Sequence, residues 1–341
     1  GSEMCIRDRI DGIIDIYCRA YGLLERGKQM IADVVYELYD RAGVFEACDD
    51  ENWQNIVPDL SSVVCFEEIY KAMERKRDEI AASKKSGFDT MDAYSRLLDR
   101  LSTFGRKYSI ERRLFGTSEG MGIDEMIGDD DVTVLESKGL ENTFKNFIFG
   151  AITSGFYKFA LAHDKGYLSE DQYETVLVIE EANEVLTGSD NAGAANNGGG
   201  GQSSGMSGQS EFEQIVDQAA GYGLFIIAIT QKISMMPSSL IANAGIKFIG
   251  RLGANQDIQT AAIAIGKEPR YEDRDVVKWF PRAPIGWFVC QTSRGFDYKM
   301  AEPILVAVDK LNIPTPTNED LEEILLEKHL AKLGFSGNSR I

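Results

Sequence analysis

The chain has 341 residues, 43% apolar and 26% charged, with 54 acidic against 36 basic side chains and a formal net charge of −18. That balance argues against a general affinity for nucleic acid, whose phosphates need Lys and Arg, so any such contact requires a local basic patch. No run approaches the roughly 20 apolar residues of a membrane span, and two histidines argue against a His-based zinc site. Cys5, Cys18, Cys48, Cys65 and Cys290 are scattered, with no C-x-x-C pair. They read as reduced thiols of an intracellular, cytoplasmic protein with no membrane partner.

Residues 1–9 resemble a cloning scar followed by adapter read-through, so the fold is expected to begin at residue 10 of a natural chain that starts upstream. Residues 10–43 carry apolar positions at helical spacing and close with Gly43. Ser61-Ser62 is a candidate cap for the helix that follows. "DAYSRLLDRLSTF" and "SIERRLFG" continue the pattern, making 10–127 a helical region. Beyond Gly128 the pattern changes. "DVTVLESKGL" (131–140) predicts a short strand ending in a Gly turn, and 141–166 predicts a long, well-buried helix. Strands are then expected at 175–179, 224–231, 246–252, 285–292 and 304–310, with helices at 211–222 and 256–266. This alternation predicts an α/β core over 128–312 with a mostly parallel sheet, and unbroken apolar strands suit a sheet covered on both faces. The Gly/Ser/Asn segment 188–210 has almost nothing to bury and is expected to be a flexible loop. It reads as a surface insertion or as a mobile loop over a site. Residues 313–341 form a tail with an amphipathic helix at 318–334.

The chemistry gathers at "TVLVIEEANEVLTG", residues 175–188, where an apolar strand runs into Glu180-Glu181. Two unpaired carboxylates are costly inside a strand, so its tip should face a metal ion or a water. A helix and a second apolar strand ending in Gln231 follow. An acid pair and a polar residue on neighbouring strand tips are the Walker B and sensor pattern of a RecA-like nucleotide hydrolase. In that pattern Glu180 holds Mg²⁺ through water, Glu181 polarises the attacking water, and Gln231 reads the γ-phosphate or orients that water. A solvated strand end and a structural polar cap are the plain alternatives.

"VLVIEEANEVL" and "QAAGYGLFIIAITQKISMMPSSLIANAGIKFIGRLG" resemble the HerA/FtsK superfamily of ring ATPases, nearest its HerA-like branch. "DVTVLESKGLENTFKNFIFG" before them and "PRAPIGWFVCQTSRGFDYKMAEPILVAV" after them extend the resemblance over most of residues 90–310. It implies a RecA-like fold, ATP and Mg²⁺ as cofactors, and ATP-driven translocation of double-stranded DNA by a homohexamer, with a nuclease as a further partner. Conjugation, secretion or DNA-packaging motors share the pattern, and an interaction module could keep the fold without hydrolysis. The resemblance also implies that Arg251 is an arginine finger reaching a neighbouring subunit, the alternative being an ion pair within the chain.

Two departures stand out. Glu180 occupies a position where Asp is commoner. No G-x-x-x-x-G-K-[ST] occurs, since Gly27-Lys28 and Gly266-Lys267 lack the rest of the phosphate cradle. The P-loop is therefore expected upstream, and the chain alone is expected to be inactive. Asn243 reads as a sensor-like or turn residue. Arg106, Lys107, Arg112 and Arg113, with Tyr108 and Phe115, read as a nucleic-acid backbone contact or a solvated helix face.

Overall fold

The computed structural model describes residues 2–48, 64–82, 88–116, 122–127, 132–164, 174–185, 215–216, 218–267, 274–292, 302–310, 317 and 319. The expected loop 188–210, the tail helix 318–334 apart from residue 319, and the Ser61-Ser62 cap lie outside them. The fold is mixed α/β and mainly helical, in two compact units. One comprises Gly1–Gly245 and Ala254–Lys267, the other Ile246–Gly253 and Glu268–Ile341.

The first unit opens with α1 (Ser2–Ala20) and α2 (Glu25–Arg41). The helical span predicted over 10–43 is broken at Gly22, whose φ of 64° is a turn conformation that side chains with a Cβ rarely adopt. The fold does not begin at residue 10: residues 2–9 form the first part of α1, and the Arg7 guanidinium lies 4.5 Å from the Phe45 ring centroid. The short α3 (Val44–Cys48) precedes α4 (Phe66–Ala82), α5 (Phe88–Gly105), α6 (Ile110–Phe115) and α7 (Ile123–Ile127).

Helix α8 (Asn142–Asp164) has 23 residues and so extends about 34 Å. Its first half enters an aromatic core in which Phe144 and Phe147 meet Tyr17, Phe66 and Phe104. Gly150 allows close approach to α1, since a Cβ there would lie 2.6 Å from the Ile16 methyl. The second half packs Phe156, Tyr157 and Ala160 against Ala219 and Leu224, and the Tyr157 hydroxyl donates to the Gln218 side chain at 2.8 Å.

Strands β1 (Thr175–Ile179) and β2 (Leu224–Ala228) pair in parallel, Leu177 opposite Ile226 and Ile179 opposite Ala228. Their inward residues share a core with Phe149 of α8 and with Leu240 and Ile241 of α9 (Ser238–Asn243). The expectation of cover on both faces does not hold among the described residues. Val176, Val178, Phe225, Ile227 and Ile229 point the other way and stay about half exposed. Nor is there a strand at 132–140. Val132, Val134 and Leu135 are exposed, and no described strand pairs with them. A β-branched run becomes a strand only when a neighbour takes its backbone hydrogen bonds. Helix α10 (Asn255–Ala264) completes the described part of this unit.

The second unit holds β3 (Ile246–Ile249), β4 (Trp287–Thr292) and β5 (Ile304–Ala307) in the order β3-β4-β5. Among the described residues its pairings are antiparallel, Phe248 opposite Cys290 and Cys290 opposite Ile304. Among the described residues, the mostly parallel sheet expected from sequence is thus one parallel pair and a separate antiparallel sheet. Residues 293–303 are fewer than the dozen or more that a parallel crossover needs between β4 and β5. Cys18, Cys65 and Cys290 are free thiols, and burial pushes Cys18 up to about 12. Among the described residues, no helix is long and apolar enough to cross a membrane.

Candidate functional site

Strand β1 ends at the buried Ile179, and the chain turns at once into the short helix Ala182–Val185. Glu181 makes that turn. Its φ of 49° is the one left-handed non-glycine conformation among the described residues. Such a backbone is uncommon for a Glu and costs on the order of 1 kcal/mol or more, which the surrounding structure must impose. Two backbone bonds impose it. The Ile229 N–H donates to the Ile179 carbonyl at 2.9 Å, and the Ala182 N–H donates to the Ile229 carbonyl at 2.8 Å. The turn after β1 is therefore clamped to the end of β2.

Because the strands are parallel, both C-terminal tips lie at the same edge. The Gln231 side-chain amide donates to Glu181 Oε1 at 2.7 Å. Beside them the Thr230 hydroxyl donates to Asn183 Oδ1 at 2.7 Å, while the Lys232 N–H donates to Thr230 Oγ1 at 3.0 Å. Asn183 is buried, so this second bridge fixes the base of the site, and the exposed Glu181–Gln231 pair forms its rim. Glu180 is exposed and has no side-chain partner among the described residues. The chain beyond Gln231 is pinned as well. Asp257, buried on α10, accepts the Ser234 N–H at 2.9 Å, and Met236 packs against Ile179 and Ala182.

The structure thus brings Glu181 and Gln231 into contact and sets Glu180 beside them. Arg251 belongs to the other unit, directly after β3. Its Nε donates to the Ala283 carbonyl at 2.8 Å, and among the described residues it has no carboxylate partner, so the alternative of an ion pair within the chain is not seen there. Asn243 is the exposed last residue of α9. Sequence reasoning assigned no role to Thr230 or Asn183. The signal was present as a polar residue within two positions of each singled-out one, Thr230 before Gln231 and Asn183 two after Glu181.

Chemically, a carboxylate held by a neutral amide donor keeps lone pairs for a water proton. No cluster of three or more His, Cys, Asp or Glu occurs among the described residues. An adjacent carboxylate pair does suit Mg²⁺, which binds through one or two carboxylates and fills its other positions with water and phosphate oxygens. No family model matches the chain, and no curated protein matches it.

Proposed function

We propose that these strand tips are the acid-and-sensor half of an ATP-hydrolysing site in a RecA-like motor that moves along double-stranded DNA as a cytoplasmic hexameric ring. The observation that carries the reading is the 2.7 Å bond from Gln231 to Glu181 across the tips of parallel neighbouring strands. A strained turn at Glu181 supports it, because such conformations gather where a side chain must be aimed.

In this reading Glu181 accepts a proton from the attacking water. Gln231 orients the Glu181 carboxylate and, with its remaining N–H, that water. Glu180 would hold the metal ion. Bound Mg²⁺ would neutralise charge on the β- and γ-phosphate oxygens. Arg251 is assigned to a neighbouring subunit's γ-phosphate by the family resemblance. The phosphate cradle is not among the 341 residues, which contain no G-x-x-x-x-G-K-[ST], so the reading requires it from outside them.

The test separates binding from turnover. In an assembly that includes a phosphate-binding loop, Glu181→Gln should keep MgATP bound and cut hydrolysis by about a hundredfold or more. The 341-residue chain by itself should turn over little ATP. Hydrolysis that survives Glu181→Gln, in either setting, sinks the assignment.

A further inference from the structure

The turn between α5 and α6 is a local exception on an acidic molecule. Arg106, Lys107 and Arg113 are exposed, and among the described residues none has a carboxylate partner. Between them Tyr108 is 85% exposed, with the Lys107 ammonium 5.5 Å from its ring centroid. Ile110, Arg113 and Leu114, spaced i, i+3 and i+4, share the outward face of α6, and Ile110 and Leu114 are about half exposed.

The inward side of the same turn is tied down. The Ser109 hydroxyl lies against the Thr103 and Arg106 carbonyls and accepts the Arg112 N–H at 3.2 Å. Arg112 donates to both carboxylate oxygens of Glu67, at 3.0 and 2.8 Å. The Cys65 thiol donates to the Gly116 carbonyl at 3.4 Å. Of the four cations in the segment, the one facing inward is neutralised and the three facing outward are not. The outward surface is therefore preorganised, and an exposed ring on it costs little further entropy to dock.

We propose that residues 106–114 form a binding surface for single-stranded nucleic acid, with Arg106, Lys107 and Arg113 on phosphates and Tyr108 stacked on an unpaired base. Cations that track a backbone with an aromatic between them are what such strands need. An anionic membrane fits less well. The helix has six residues, and its exposed aliphatic surface is confined to Ile110 and Leu114, whereas interfacial helices bury a long apolar face. The proposal rests on the motor reading only for the choice of nucleic acid as the polyanion, and Glu181 takes no part in it.

The experiment is fluorescence anisotropy of a labelled oligothymidylate of about 20 nucleotides, titrated without nucleotide with the whole chain over a salt series. Three phosphate contacts give a slope of log K on log salt of about −2. Arg113→Gln should flatten that slope by somewhat under one unit. Tyr108→Ala should weaken binding about tenfold and leave the slope alone, and an abasic oligomer of equal length should lose the same factor. These substitutions are at exposed positions, and circular dichroism confirms that each variant is folded.

Absence of binding at about 50 mM salt overturns the proposal, as does binding undiminished by reversing all three cations. Patch-dependent capture by phosphatidylserine vesicles, with the oligomer ignored, overturns it in favour of a membrane. The motor reading fails separately. ATP turnover insensitive to Glu181→Gln leaves this binding intact, and loss of oligomer binding leaves the effect of Glu181→Gln on turnover unchanged.

Discussion

The aromatic core of the helical region and the sheet that carries the acids are drawn from similarly apolar sequence, yet they are finished differently. Tyr17, Phe104, Phe144 and Phe147 are enclosed by α1, α4, α5 and α8, and each ring meets others edge-on or stacked. The sheet hides Ile179 and Leu224 on one face and leaves Val178 at 53% and Ile227 at 50% exposure on the other. In the first region free energy lies in shape, because every one of these rings meets at least two others. In the second, packing among the described residues holds the strands from one side only, and the tips are fixed by polar bonds.

That contrast is broken or sharpened most directly by truncation. Phe104→Ala should cost about 3–5 kcal/mol, since it empties a filled core position. Ile227→Ala should cost less than about 1 kcal/mol, since half of the side chain is already in water. Urea-unfolding midpoints of the two variants check this. Equal costs would mean that the outward sheet face is buried as thoroughly as the aromatic core.

A smaller effect tests how the helical core is stitched at its polar edge. Asp15 is buried and takes Lys28 at 2.6 Å and Arg19 at 2.7 Å. Burial would raise its pKa, but the hydrogen bonds and charges of Lys28 and Arg19 together outweigh it and hold the carboxyl below its ordinary value. A carboxyl depressed on folding contributes stability that is complete above its unfolded pKa of about 3.9 and fades as pH falls through the folded value. Asp15→Asn should therefore cost about 2 kcal/mol near neutrality, with the gap to the parent closing below about pH 4. A pH series of unfolding midpoints for both proteins gives the answer, and a pH-independent gap would remove Asp15 from the account.

The smallest effect lies on the sheet side and has the opposite sign. Glu181→Gly removes the left-handed strain and the exposed Gln231 bond together, and should raise stability by about 0.5 kcal/mol. Thermal unfolding would show it. A loss of stability instead would mean that the Gln231 contact outweighs the backbone cost.

Much of this was readable in the residues. Period and composition located α8, α5, β1 and β2, and the meeting of Glu181 with Gln231 followed from two parallel strands ending in polar residues. What failed has physical causes. Val132-Thr133-Val134 has strand chemistry, but pairing depends on a neighbour that local pattern cannot supply. An apolar run such as β3, β4 or β5 reads the same in either direction, so only the connection between β4 and β5 carried the antiparallel signal. The φ of Glu181 is imposed by carbonyls on another strand, and nothing in "IEEAN" reveals it.

Helix α8 belongs to both of these regions: Phe144 and Phe147 are walls of one core, and Phe156, Tyr157 and Ala160 are walls of another. A rod shared in this way cannot melt at one end and keep its contacts at the other without cutting its own backbone ladder. The helical core and the acid-bearing sheet are therefore expected to open together, with amide protons in the middle of α8 released only when both do. The rim at Glu181 thus stands on a core that includes Phe149, two residues along the same helix from Phe147 of the aromatic core.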